Sequence, residues 1–265
     1  MQSGVTYLWN PRRPDLLLAW GAIGAAWVVT FLLVATGGGE YIVDHDAVLA
    51  DQRFAWPLTI LLFLASWQLM TAAMMLPSSL PMIAAFLRVS RNDPHPRLAF
   101  GRFLLGYFAI WTGFAIAALA SDAGVHWLVD HVAVVAERQW LIGGTILVLA
   151  GAFQFSSLKE RCLDACREPL AFLWTHYIAR TRSAWWLGLR HGIFCLGCCW
   201  ALMLTMFAVG MGSLVWMTAL AGVMLIEKTS RYGDRLARPI GTFLIAWGVL
   251  VMLNIERLPA LVRGA

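Results

Sequence analysis

Seven stretches of this chain are apolar for close to the length an α-helix needs to cross a bilayer, at about 15–36, 56–76, 99–120, 140–157, 184–209, 213–227 and 240–255. About 20 residues rising ~1.5 Å each cover ~30 Å of hydrocarbon. A β-barrel would read as shorter segments of alternating polarity, so helices are the expectation. With 60% hydrophobic and 13% charged residues, an ordinary soluble domain is excluded. The predicted fold class is therefore all-α: a polytopic helical membrane protein of about seven transmembrane helices plus a short cytoplasmic interfacial helix. One helical domain would occupy 15–257, between a short cytoplasmic tail at 1–14 and a short C-terminal tail at 258–265. The first apolar block follows Arg12 and Arg13, as the core of a secretory signal would. It is too long for that, and no small-x-small cleavage site precedes "TGGGE", so it reads as a helix.

The charges orient the array. With the N-terminus inside, the inner segments hold sixteen of the twenty lysines and arginines: Arg12, Arg13 and those within 88–102, 159–190 and 228–238. The outer ones hold Arg53, Arg138, Arg257 and Arg263. Basic residues gather on the cytoplasmic side, so the expectation is a bacterial inner membrane protein with a cytoplasmic N-terminus and an outer C-terminus. The net charge of +5 thus reports topology and implies no nucleic-acid partner.

Outer loops at 37–55 and 121–139 carry Asp44, His45 and Asp46, and His126 and Asp130. Those types can gather a cation, although a solvated loop explains them as well. The inner segment 158–183 interleaves Phe172, Leu173, Tyr177 and Ile178 with His176, Arg180 and Arg182, the pattern of a helix lying along the inner interface. "WQLM" at Trp67 and "WALM" at Trp200 echo each other on spans of opposite direction, a similarity that four letters do not lift above chance.

The chemistry is concentrated in the fifth span. "HGIFCLGCCWALM" places His191, Cys195, Cys198 and Cys199 in an apolar run, and a helical advance of about 100° per residue puts them on one face. The thiols would lie roughly 7 to 14 Å into the inner half of the bilayer. Cys198 and Cys199, being adjacent, cannot readily serve one ion from a regular helix; either Gly197 allows a local distortion or the two thiols take different roles. Cys162 and Cys166, one turn apart, would stand just beyond the inner end of the fourth span. All five thiols are thus predicted on or near the reducing side, where stable disulfides are not the rule. A single cysteine here would be a packing residue, but three within five positions after a histidine point to metal or redox chemistry.

Methionines add thioethers. Met70, Met74 and Met75 end the second span, just before Pro77 and Pro81 are expected to break it, and Met203 and Met206 continue the fifth-span ladder from Cys195 and Cys199. Glu227, at the inner end of the sixth span, is either an interfacial partner of Lys228 or an arginine, or a counter-charge facing the sulfurs. Thiolates and thioethers without a carboxylate cluster favour Cu(I) over zinc, magnesium or calcium.

The blocks "MTAAMMLPSSLPM", "FQFSSLKERCLDACREP", "LRHGIFCLGCCWALMLTMFAVGMGSLVWM" and "LIEK" resemble a bacterial domain family of unknown function, described as metal-binding integral membrane proteins. The resemblance covers about 67–228. Its motif falls on Met74, Met75, Pro77, Gln154, Lys159, Cys162, Cys166, Arg167, Pro169, Gly192, Cys195, Gly197, Cys198, Cys199, Trp200, Met203, Gly210, Met211, Trp216, Met217, Glu227 and Lys228. It implies metal binding in a membrane; the choice of Cu(I) rests on ligand softness.

The leading expectation is a protein that binds or handles Cu(I) in the lipid bilayer, through a site drawn from His191, Cys195, Cys198, Cys199, Met70, Met74, Met75, Cys162, Cys166, Met203 and Glu227. Its partners would be a metal donor or acceptor protein and, in an oligomer, further subunits. Two alternatives stay open. Cys195 and Cys198 form the C-x-x-C of a quinone-linked thiol oxidoreductase, and Gly188 and Gly192 form the G-x-x-x-G of a structural subunit. No P-loop, H-E-x-x-H or dinucleotide-binding glycine pattern is present, which argues against an ATP-driven pump.

Overall fold

The computed structural model describes residues 14–36, 56–178, 181–209, 213–230 and 233–253. Asp44, His45, Asp46, Arg180, Met211 and the two tails lie outside them. Among the described residues the chain is helical: α1 (Pro14–Ala35), α2 (Trp56–Val89), α3 (Pro96–His131), α4 (Trp140–Phe153), α5 (Ser157–Arg167), α6 (Pro169–His176), α7 (Ser183–Val209), α8 (Leu214–Thr229) and α9 (Gly233–Met252). Single turns lie at Ser90–Asn92 and Ala133–Ala136.

Five of these helices are long and apolar enough to cross a membrane, or six if the bent pair of α4 and α5 is one span. Seven were expected. The difference lies in the two shortest blocks. α4 has 14 residues and α8 has 16, lengths of about 21 and 24 Å at the helical rise, short of ~30 Å. α4 is followed by a bend of 64° into α5. Ser156 caps α5 by accepting a hydrogen bond from the Lys159 amide, which starts the new helix at the bend. The expected loop at 158–183 is therefore two helices, α5 and α6, and α5 packs against α7. On α6, Phe172 and Leu173 are buried and Trp174 is exposed.

The expected break at Pro77 and Pro81 does not occur, because α2 runs through both prolines to Val89. Pro77 has no amide hydrogen for the carbonyl of Ala73, four residues earlier. That carbonyl instead accepts from the indole of Trp27 on α1, at 3.0 Å. A neighbouring helix thus supplies the donor that the proline removed, as helices in lipid require. The third apolar block also runs further than expected: α3 continues to His131, and His126 lies 3.7 Å from Asp122, one turn earlier on the same helix.

α7 is the hub, touching α3, α4, α5 and α8, while α2 packs on α1, α3 and α8. The first contact is a glycine crossing. A Cβ on Gly188 would strike the Phe103 carbonyl, one on Gly106 the Trp185 carbonyl, and one on Gly192 the Ile110 side chain at 2.9 Å. Contacts advance in the same sense on both helices, so α3 and α7 run parallel. The bare glycines let the two backbones touch, and the Gly188/Gly192 pair is here an intramolecular contact.

Candidate metal centre

The close approach of α3 and α7 places the Tyr107 hydroxyl 3.2 Å from Cys195 Sγ. Ser79 of α2 lies 4.0 Å from the same sulfur and 3.3 Å from the Tyr107 hydroxyl. From α8, the Lys228 ammonium donates to Cys195 Sγ and to Ser78 Oγ, both at 3.1 Å. Lys228 is 4% exposed, so this cation sits in the core and not at an interface. Cys195 thus has polar neighbours from three helices besides its own.

α7 stays helical through Gly197, so the expected distortion is absent. The glycine instead makes room for a neighbour: a Cβ there would come within 2.6 Å of Cys162 Sγ on α5. The adjacent thiols diverge accordingly. Cys198 donates to the Cys195 carbonyl at 3.1 Å, and Cys166 on α5 lies near it in the same core. Cys199 lies 3.5 Å from the thioether sulfur of Met75 on α2, and also reaches the Cys195 carbonyl at 2.8 Å. One thiol lies toward α5 and the other toward α2.

All five cysteines are buried and none is in a disulfide. Met70, Met74, Met203 and Met206 are buried in the same core. His191 is buried between ring faces, with centroids 5.9 Å from Phe103 and 5.4 Å from Tyr107, and neither imidazole nitrogen has a hydrogen-bond partner. Among the described residues no three His, Cys, Asp or Glu side chains are gathered into one chelating group. The sulfur donors that meet at contact distance across helices are the Cys199 thiol and the Met75 thioether.

Glu227 pairs with neither Lys228 nor an arginine side chain. Its Oε2 accepts from Lys159 Nζ at 2.7 Å, and that ammonium also contacts Gln154 Oε1. Arg167 Nε donates to the Glu227 backbone carbonyl at 2.7 Å and Arg167 also reaches Ser230, so the end of α5 is latched to the end of α8. Glu227 Oε1 and Gln154 Nε2 stay unpartnered in the core. An uncompensated charge here would be costly, which explains why acid and base are buried together.

The family model for PpoB2, a copper chaperone, matches residues 64–251. The chain belongs to this copper chaperone family. The PpoB2 match reaches from α2 to α9 and includes every candidate ligand named above, leaving α1 outside. It extends past the 67–228 of the sequence resemblance and names copper where that resemblance implied only a metal. No curated protein and no solved structure matches the chain. The donors fit the cargo of a PpoB2 protein: soft sulfur from three helices, in a site without water-facing carboxylates.

Tyr107, Ser78 and Ser79 were missed as neighbours of the site. A tyrosine in mid-span and a serine pair between two prolines were the available signals, since buried hydroxyls need partners.

Proposed function

We propose that this protein takes up Cu(I) as cargo on the cytoplasmic side of the bacterial inner membrane, holds it among sulfur ligands in the inner half of the bilayer, and transfers it to a partner protein. The observation that carries this reading is the 3.5 Å contact between Cys199 Sγ and Met75 Sδ. A thiolate and a thioether from different helices give a soft, low-coordinate site that a dry interior keeps from hard ions. Cys195 lies one turn before Cys199 and would supply the third sulfur. Cys198 with Cys166, and Cys162 beside Gly197, would form the approach from α5, so that the ion moves from the α5 thiols to Met75. Met70, Met74 and Met203 line the core beyond, and the free nitrogens of His191 offer a borderline ligand at the other end. Glu227 serves through Lys159, by fixing α5 and its two thiols in register.

Elemental analysis of detergent-purified protein, prepared under reducing conditions, tests this. Near-stoichiometric copper should vanish in the triple Cys195→Ser, Cys198→Ser, Cys199→Ser variant. Equal copper in both proteins, or none in folded wild type, would sink the proposal.

The thiol oxidoreductase reading keeps one observation in its favour, the ammonium of Lys228 beside Cys195. It would need a disulfide between Cys195 and Cys198 trapped in cells together with a mixed disulfide to a partner.

A further inference from the structure

We propose that the cavity between the start of α7 and the first turns of α3 binds the phosphate headgroup of an anionic phospholipid. The proposal rests on the membrane reading of the chain and is independent of the copper site.

The cavity measures about 390 Å³ and is lined by Arg102, Arg182, Trp185 and Trp186. The fold builds it from the glycine crossing. Gly106 admits the Trp185 backbone and Gly188 admits that of Phe103, so Arg102, one turn before Gly106, is carried to the side of Trp185. Arg182 arrives from just before the first turn of α7, which begins at Ser183. Its position is held by the preceding residue, because the Thr181 hydroxyl donates to Asp93 Oδ1 at 2.5 Å.

Two arginines from separate elements therefore border one space. Each presents a planar fork of donors suited to phosphate oxygens. The carboxylate close enough to feel Arg102 is Asp93, and the same Oδ1 that takes the Thr181 hydroxyl also takes the His95 amide at 3.0 Å. Asp93 thus positions the segment that carries Arg182 to the cavity.

The surroundings distinguish a lipid from a soluble anion. Two tryptophans line the cavity, the residue type that marks the headgroup level of membrane proteins. Trp186 is exposed, as are Leu105, three residues on from Arg102, and Ile193, seven on from Trp186. Those spacings keep each leucine or isoleucine on the helical face of the headgroup residue before it. The result is a space bordered by two arginines and continued by an apolar track, which matches a phosphate followed by an acyl chain.

The test uses the full chain in detergent, with lipids counted by mass spectrometry after exchange into equal mixtures of phosphatidylglycerol and phosphatidylcholine. Wild type should retain phosphatidylglycerol selectively, and the Arg102→Gln, Arg182→Gln double variant should retain roughly tenfold less of it. Copper content, read on the same samples, should not change, so a failed copper reading and a failed lipid reading are separable. Melting of wild type alone supplies a second measure, in which phosphatidylglycerol raises the midpoint and phosphatidylcholine does not. Equal retention of both lipids would overturn the proposal. A rise in midpoint as large with inorganic phosphate as with phosphatidylglycerol would assign the cavity to a soluble anion instead.

Discussion

Two helix pairs in this molecule are built with the same device and put it to different use. α4 and α9 cross through reciprocal glycines. Gly144 faces the Gly248 carbonyl at 2.9 Å from a would-be Cβ, and Gly151 faces that of Gly241 at 2.6 Å. The register is antiparallel, and both glycine pairs are spaced seven residues apart. α3 and α7 cross as tightly through Gly106, Gly188 and Gly192, but in parallel. Around the first crossing the additions are mostly apolar, such as the stacked rings of Trp216 and Trp247 at 4.8 Å, with Gln154 the polar exception beside Gly241. Around the second stand Tyr107, Cys195, His191 and the Lys228 ammonium. Close backbone packing is therefore not a mark of function. What separates the pairs is whether the space gained is filled by apolar groups or by polar groups that must find each other.

That contrast can be broken from several sides. The largest effect is expected at the ion pair that holds α5 against the polar crossing. Lys159→Met leaves Glu227 charged and unpaired in the core and should cost about 3–5 kcal/mol, read as a lower melting midpoint in detergent. Adding Glu227→Met should restore much of the loss, whereas equal melting of Lys159→Met and wild type would mean that the pair does not secure α5. Next, Gly151→Val should cost about 1–3 kcal/mol by driving α4 from α9. Copper per folded protein should be unchanged there and reduced in Gly188→Val; loss of copper in both variants would erase the functional distinction between the two crossings.

Met75→Leu sharpens the comparison within the polar region. The swap nearly conserves volume and should move stability by less than about 1.5 kcal/mol. Removing the thioether should nevertheless weaken copper retention against a Cu(I) chelator by roughly tenfold. Retention equal to wild type would remove Met75 from the site.

The smallest effect concerns the segment leading into α7. The hydrogen bond from Thr181, then that from the His95 amide, hold the Asp93 carboxyl below its ordinary value, against the opposing effect of burial. A carboxyl lowered by folding stabilises the fold above its unfolded value and loses that contribution as pH falls through the folded one. Asp93→Asn should therefore melt lower than wild type near neutrality, by about 2 °C, and the gap should close below about pH 4. A gap independent of pH would show that packing, and not charge, is what Asp93 supplies.

Much of this was legible before the structure. α1, α2, α3, α7 and α9 were marked by continuous apolar runs, because in lipid a backbone must satisfy itself locally. The shared face of Cys195, Cys199 and Met203 followed from helical geometry, and all three are buried. Pro77 was misread because its effect depends on Trp27, a residue 50 positions away in the chain. α5 was misread as part of a loop because "LKERCLDACR" is too polar for a span, and the partners of Lys159 and Arg167, which include Glu227, Gln154 and Ser230, lie elsewhere in the chain. Lys228 was placed at an interface for the same reason: a lone lysine gives no hint that a thiol and a serine await it.

Residue type and local run settled the all-helical class, the long apolar helices and the softness of the donors, since those depend on neighbours within a turn or on the atoms of a side chain. Packing settled which donor meets which. Cys199 and Met75 lie 124 positions apart, Tyr107 and Cys195 88, and Lys228 and Ser78 150. Such pairs are set by how helices cross, and for Tyr107 and Cys195 the crossing is set by where glycine lets α3 and α7 touch.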